Sequence, residues 1–158
     1  MKPEIGIADK DRATVVDLLN ALLADEAVLY TKTRNYHWNV RGMHFNDLHK
    51  FFDAQYEQLN EIVDDVAERA RSLGGVAIGS LAEFLKRTRL KERAGVLPDA
   101  PGMIRTLLED HENVIRYLRS DLKTVLERHG DAGTSDFLTG LLEQHEKMSW
   151  MLRSCLDK

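Results

Sequence analysis

Proline stands at only three of the 158 positions, 3, 98 and 101. Residues 4–97 and 102–158 therefore lack the one side chain that both removes a backbone N–H and clashes with the preceding helical turn. Long helices are permitted almost everywhere. Apolar residues recur at spacings of three and four in stretches at about 11–39, 46–73, 103–129 and 134–156. The punctuation agrees with four helices. Asp11 and Asn46 are expected N-caps, Pro101 and Gly102 are expected to precede the third helix, and Gly74 and Gly130 to close the second and third. Ser80 with Glu83 forms a capping-box pattern over a short extra helix at 80–87.

Connection lengths set the topology. Helices one and two are about six residues apart around Gly42, and helices three and four about four apart around Gly133, so each pair is expected to be antiparallel. Nearly thirty residues, from Gly74 to Gly102, separate the pairs. Two antiparallel pairs with one long crossover describe an all-α, ferritin-like four-helix bundle, the crossover carrying the short helix. One domain is expected over residues 11–158, after a short tail of residues 1–10.

Composition narrows the function. Hydrophobic residues at 43% supply a core, and charged residues at 30% exclude a membrane protein. No apolar run reaches the roughly 18–20 residues that span a bilayer, and the opening MKPEIGIADK lacks a signal peptide's apolar segment. The single Cys155 excludes an internal disulfide or thiolate metal cage and fits a reducing compartment, so the expected location is cytoplasmic. A net charge of −4 disfavours nucleic acid as partner. The basic cluster Lys86, Arg87, Arg89, Lys91, Arg93, broken by Glu92, reads as a solvated loop.

The second helix carries the chemistry. On a wheel measured from His49, the apolar positions Leu48, Phe52, Leu59, Val63, Val66, Ala70 and Leu73 fall between about −120° and −40°. His49, Asp53, Asp64 and Glu68 fall at about 0°, 40°, 60° and 100°, a polar face beside that stripe. Phe51 and Ile62, at about 200° and 220°, are expected to lie on another apolar face covered by an oligomeric partner.

His49 with Asp53, and Asp64 with Glu68, are i,i+4 pairs, each able to offer two ligands to one ion. The pairs start 15 residues apart, about 22 Å along a helix, too far for one chain to join them. Both 49 with 68 and 53 with 64 are symmetric about a point near residue 58. Two copies of this helix crossing antiparallel there would place His49 beside Glu68 and Asp53 beside Asp64, making two identical mixed sites. His37 and His49 lie equally far from position 43 in the turn, so antiparallel packing brings the imidazoles to one level. The expected site is His37, His49 and Asp53 of one subunit with Asp64 and Glu68 of its mate. Such imidazole and carboxylate ligands suit iron, Mn(II) or Zn(II) without choosing among them.

These residues also carry a family resemblance. The stretch Asn35, Tyr36, His37, Trp38, Asn39, Val40, Arg41, Gly42, continued by His49, Asp53, Asp64, Glu68, Arg69, Ala70, Leu73, Gly74 and Gly75, closely resembles the Dps mini-ferritins, DNA-binding proteins from starved cells. The resemblance extends over about residues 10–156, including the run Glu143 to Leu152. It implies a hollow dodecamer with ferroxidase centres at its two-fold interfaces. Fe(II) would be oxidised there to Fe(III), preferably by hydrogen peroxide rather than oxygen, and stored, protecting against oxidative stress. His37, His49, Asp53, Asp64 and Glu68 match the family's iron-site residues, with Zn(II) or Mn(II) as alternatives at the same place. Trp38 matches the aromatic beside the centre, with a role in intercepting radicals. Asp131 and Asp136 are the nearest matches to acidic pore residues.

The remaining candidates have plainer readings. His44 reads as a loop residue, and His111 and His145 as packing or hydrogen-bonding groups. His129 suits the end of a helix dipole. Met148, Trp150 and Met151 read as core or interface filler, and Cys155 as incidental. No glutamate has a histidine three positions later, which argues against a di-iron site inside one bundle.

Two alternative functions stand beside ferroxidase and storage. One is a nucleoid-compacting DNA-binding protein, opposed by the shortage of free lysines near either end and by an acidic excess that a twelve-subunit shell would multiply. The other is a scaffold without chemistry.

Overall fold

The computed structural model describes residues 2–156, all of whose regular structure is helical. Four long helices, α1 (Asp9–Asn39), α2 (Phe45–Ser72), α4 (Ala100–His129) and α5 (Ala132–Ser154), form the bundle, and the short α3 (Leu81–Arg87) lies in the crossover. Each long helix is antiparallel to its neighbours. His37 meets His49 across α1 and α2, Asp11 meets His129 across α1 and α4, His111 meets His145 across α4 and α5, and Arg69 meets Thr134 across α2 and α5. The ferritin-like topology read from connection lengths is the one observed.

Helix ends depart in detail from the sequence expectation. Helix α1 begins before Asp11, with Ala8 in the cap position, and Asp11 bonds His129 instead. Asn46 lies within α2, whose cap residue is His44. Pro101 and Gly102 sit inside the first turn of α4. Its cap is Asp99, which accepts the Gly102 N–H at 2.9 Å. Proline fits there because first-turn N–H groups have no helical partner to lose. Gly130 closes α4 at φ 64°, a left-handed conformation costly for side chains. The Ser80–Glu83 capping box forms as expected.

The core is made where the apolar stripes converge, with Leu19, Phe52, Leu59, Leu107, Leu118 and Leu152 at 0–1% exposure. Each such side chain contributes about 1.5–3 kcal/mol of burial. Ile62 belongs to this core at 1% exposure, so it needs no oligomeric cover. Its 220° is equivalently −140°, only about 20° from Leu73, and the buried stripe of α2 is wider than the sequence pattern shows. Phe51 is half-buried and packs against the same core.

The crossover runs as a strap along the outside of α1. Asn20 holds both the Val76 carbonyl and the Ile78 N–H, Arg87 pairs with Asp17, and Lys32 donates to the Lys91 carbonyl. This strap explains why every residue from Leu22 to Leu29 is buried. It also corrects the reading of 86–93 as a solvated loop, because Arg89 reaches inward to the buried Asp25 and to Asp121.

Candidate metal centre

The α1–α2 turn brings His37 and His49 together. His37 Nδ1 lies 2.8 Å from the His49 carbonyl, and His49 Nδ1 lies 2.9 Å from the His37 carbonyl. A carbonyl only accepts, so both rings carry a proton on Nδ1, which leaves Nε2 as the nitrogen not engaged by the backbone. Two reciprocal bonds thus orient the two rings and their Nε2 atoms, the kind of backbone anchoring that histidines able to ligate a metal use. The rings stack at 3.8 Å and 19°, with Phe45 stacked on the far face of His49 at 5.1 Å. Asp53, one turn on from His49, places Oδ1 3.9 Å from His37 Nε2.

Around this trio, beside the Trp38 already singled out, stand two tyrosines and an arginine that the sequence reading passed over. The Tyr56 hydroxyl donates to Asp53 Oδ1 at 2.7 Å, and its ring meets His37 edge-on at 5.2 Å. The hydrogen bond to Asp53, helped by burial and by the Asp53 and Glu57 charges, pushes the phenol up to about 12. The group therefore stays a donor at neutral pH. The Arg34 guanidinium lies 5.8 Å from the Tyr30 and Tyr56 rings and 5.1 Å from that of Trp38, which is 63% exposed. The signal available was spacing, since Tyr30, Arg34 and Trp38 follow at intervals of four and Tyr56 lies three after Asp53.

Asp64 and Glu68 are exposed farther along α2, and this chain does not bring them to the histidines. Among the described residues, no three His, Cys, Asp or Glu side chains of one chain are grouped to hold a metal ion. Asp131 is buried, caps α5 through Thr134 and pairs with Arg69 at 3.2 Å, whereas Asp136 is exposed.

A second polar group lies inside the bundle. Glu26, His145 and His111, each at 0% exposure, form a chain in which Glu26 Oε1 is 2.9 Å from His145 Nε2 and the two Nδ1 atoms are 2.9 Å apart. His145 faces its two partners through different nitrogens, so the groups run in series rather than converge on a point. Burial first, and His145 second, hold the His111 pKa well below the ordinary imidazole value. Among the described residues, no helix is long and apolar enough to cross a membrane.

Comparison with known proteins agrees with this architecture. The family model of the ferritin-like domain matches residues 16–158. A low temperature-induced protein of Nostoc sp. is 48% identical over 153 residues, covering 97% of this chain and 86% of the relative. The DNA protection during starvation protein 2 of Bacillus anthracis is 33% identical over 144 residues, 91% of this chain and 97% of the relative. The crystal structure of a Dps protein from Vibrio cholerae O1, described as a member of a broad superfamily of ferritin-like diiron-carboxylate proteins, superposes with a TM-score of 0.92. That pair is 30% identical, covering 99% and 97% of the two chains.

Proposed function

The chain belongs to the Dps family of ferritin-like proteins, and from that membership we propose that it oxidises Fe(II) at sites split between two-fold-related subunits and stores the ferric product in a cytoplasmic dodecameric shell. The unit that assembles is residues 11–158. Each site takes His37, His49 and Asp53 from one subunit with Asp64 and Glu68 of the partner subunit. The observation that carries this reading is the reciprocal His37–His49 bonding, which spends both Nδ1 protons on carbonyls and leaves both Nε2 atoms available beside Asp53.

The chemistry follows from the ligand types. Imidazole nitrogens favour a transition metal over Ca(II) or Mg(II), and carboxylates from two subunits stabilise the extra charge as Fe(II) becomes Fe(III). Zn(II) or Mn(II) would compete for the same groups. Hydrogen peroxide is the working oxidant, in preference to oxygen. Two Fe(II) give two electrons to one peroxide, which with two protons becomes two waters, and no hydroxyl radical is released. Trp38, exposed beside the site, intercepts stray one-electron oxidants. Asp136, exposed on α5, and Asp131 at the start of that helix line the route by which iron enters.

A direct DNA-compacting role is the second reading, favoured by the name of the Bacillus anthracis relative. Charge opposes it. The net −4 repels phosphate, and Lys2 is already paired with Asp9. A gel shift by submicromolar protein at physiological salt without Mg(II) would establish that reading instead.

The principal test mixes apoprotein with Fe(II) and peroxide anaerobically and follows ferric absorbance. The wild type is expected to outpace a protein-free control, and the His49→Ala, Asp64→Ala double variant to lose most of the rate. A wild-type rate equal to the control's would refute the proposal.

A further inference from the structure

We infer that Tyr56 is the positioning residue for Asp53: its hydroxyl holds the carboxylate in the orientation in which it binds iron. The inference rests on the site proposed above and deepens it. Asp53 is half-buried on a helix surface, where a carboxylate with no fixed partner samples several rotamers. Here one oxygen, Oδ1, accepts the Tyr56 hydroxyl at 2.7 Å, a short bond to a charged acceptor. Oδ1 is also the oxygen 3.9 Å from His37 Nε2, so the bond sets Asp53 relative to the imidazole pair. Among the described residues, Asp53 Oδ2 has no hydrogen-bond or ion-pair partner and is the oxygen left to the metal.

The phenol can impose this orientation because α1 fixes it. Its ring makes T-shaped contacts with the rings of His37 at 5.2 Å and Tyr30 at 6.1 Å. Arg34 lies over both tyrosine rings and donates to the Tyr30 hydroxyl at 2.8 Å. Rigidity thus passes from α1 through Tyr56 to a carboxylate on α2. Partners that orient a metal ligand in this way typically change affinity by about 10- to 100-fold when removed.

The test titrates the assembled protein with Co(II), a probe that reports binding without iron oxidation and whose visible spectrum senses its ligands. Tyr56→Phe keeps the ring and removes only the hydroxyl, so the α1 contacts persist. It is expected to weaken Co(II) binding about tenfold and to shift the visible bands. If the hydroxyl acts through Asp53, the same change in an Asp53→Asn background costs less than about twofold, because the carboxylate it orients is gone. A merely structural tyrosine would cost the same in both backgrounds. Equal losses in the two backgrounds, or Tyr56→Phe binding within twofold of wild type, overturn the inference while leaving the site intact. Wild-type protein that binds no Co(II), or Asp53→Asn that binds it as tightly as wild type, overturns the site and the inference with it.

Discussion

Replacing Arg89 with alanine should remove the keystone of the crossover strap. The guanidinium donates from Nε to Asp25 at 2.7 Å and from Nη1 to Asp121 at 3.1 Å, and its backbone N–H donates to Asp25 at 2.6 Å. It also lies 4.1 Å over the Tyr117 ring. Asp25 is 0% exposed and Asp121 8%. Burial pushes both carboxyls above the usual range, and Arg89 opposes the shift in each. In Arg89→Ala, two buried carboxylates lose the cation they share, and breaking one buried pair costs about 3–5 kcal/mol. With a urea m-value of about 2 kcal/mol/M, the unfolding midpoint at pH 7 should fall by about 1.5–2.5 M. Wild type and variant must be compared at one protein concentration, since assembly adds to stability. The cost comes from stranded charge, so the triple change Asp25→Asn, Arg89→Met, Asp121→Asn should recover most of it. The deficit should also shrink on acidification, because the raised carboxyls take up protons readily and lose the charge that is stranded. A variant within 1 kcal/mol of wild type at pH 7 would refute this reasoning.

Two further predictions follow from burial. His111 stays neutral in the folded chain, whereas an unfolded imidazole titrates near about 6.5. The unfolded state therefore binds more protons as pH falls below that value, so this contribution to stability is complete above it and is lost on acidification. Urea midpoints at pH 7, 6 and 5 should decline less steeply in His111→Gln, and an identical slope would contradict the assignment. At Gly75, an added Cβ would stand 2.3 and 2.6 Å from the two Val16 methyls. Gly75→Ala should cost about 1–3 kcal/mol, partly relieved by Val16→Ala, and an unchanged thermal midpoint would show that the approach is not tight.

What the sequence revealed was mostly local. The long helices are written in proline scarcity and apolar spacing, and the hairpin order in connection lengths. The His37–His49 pairing was legible because both lie equally far from the turn. What escaped depends on partners distant in sequence or on tertiary cover. Arg89 looked solvated because Asp25 and Asp121 stand 64 and 32 positions away. The burial of α1 between the bundle and the strap left no simple stripe, and the Glu26–His145–His111 chain joins three helices. Asp99 was missed as a cap because Pro101 reads equally well before a helix or inside its first turn. Tyr56 escaped because tyrosine three residues from a carboxylate is common, and only the packing of α1 gives it a fixed direction.

The central claim is that one chain holds half of each iron site. Subunits carrying His49→Ala and subunits carrying Asp64→Ala, unfolded together and reassembled at equal ratio, test it directly. Each parent should be inactive alone. In a mixed two-fold pair, one site receives both defects and the other receives neither. Random pairing should therefore restore about one quarter of the wild-type sites, read as initial Fe(II) oxidation with peroxide. A reassembled mixture as inactive as its parents would contradict the shared site, since ligands confined to one chain cannot complement one another.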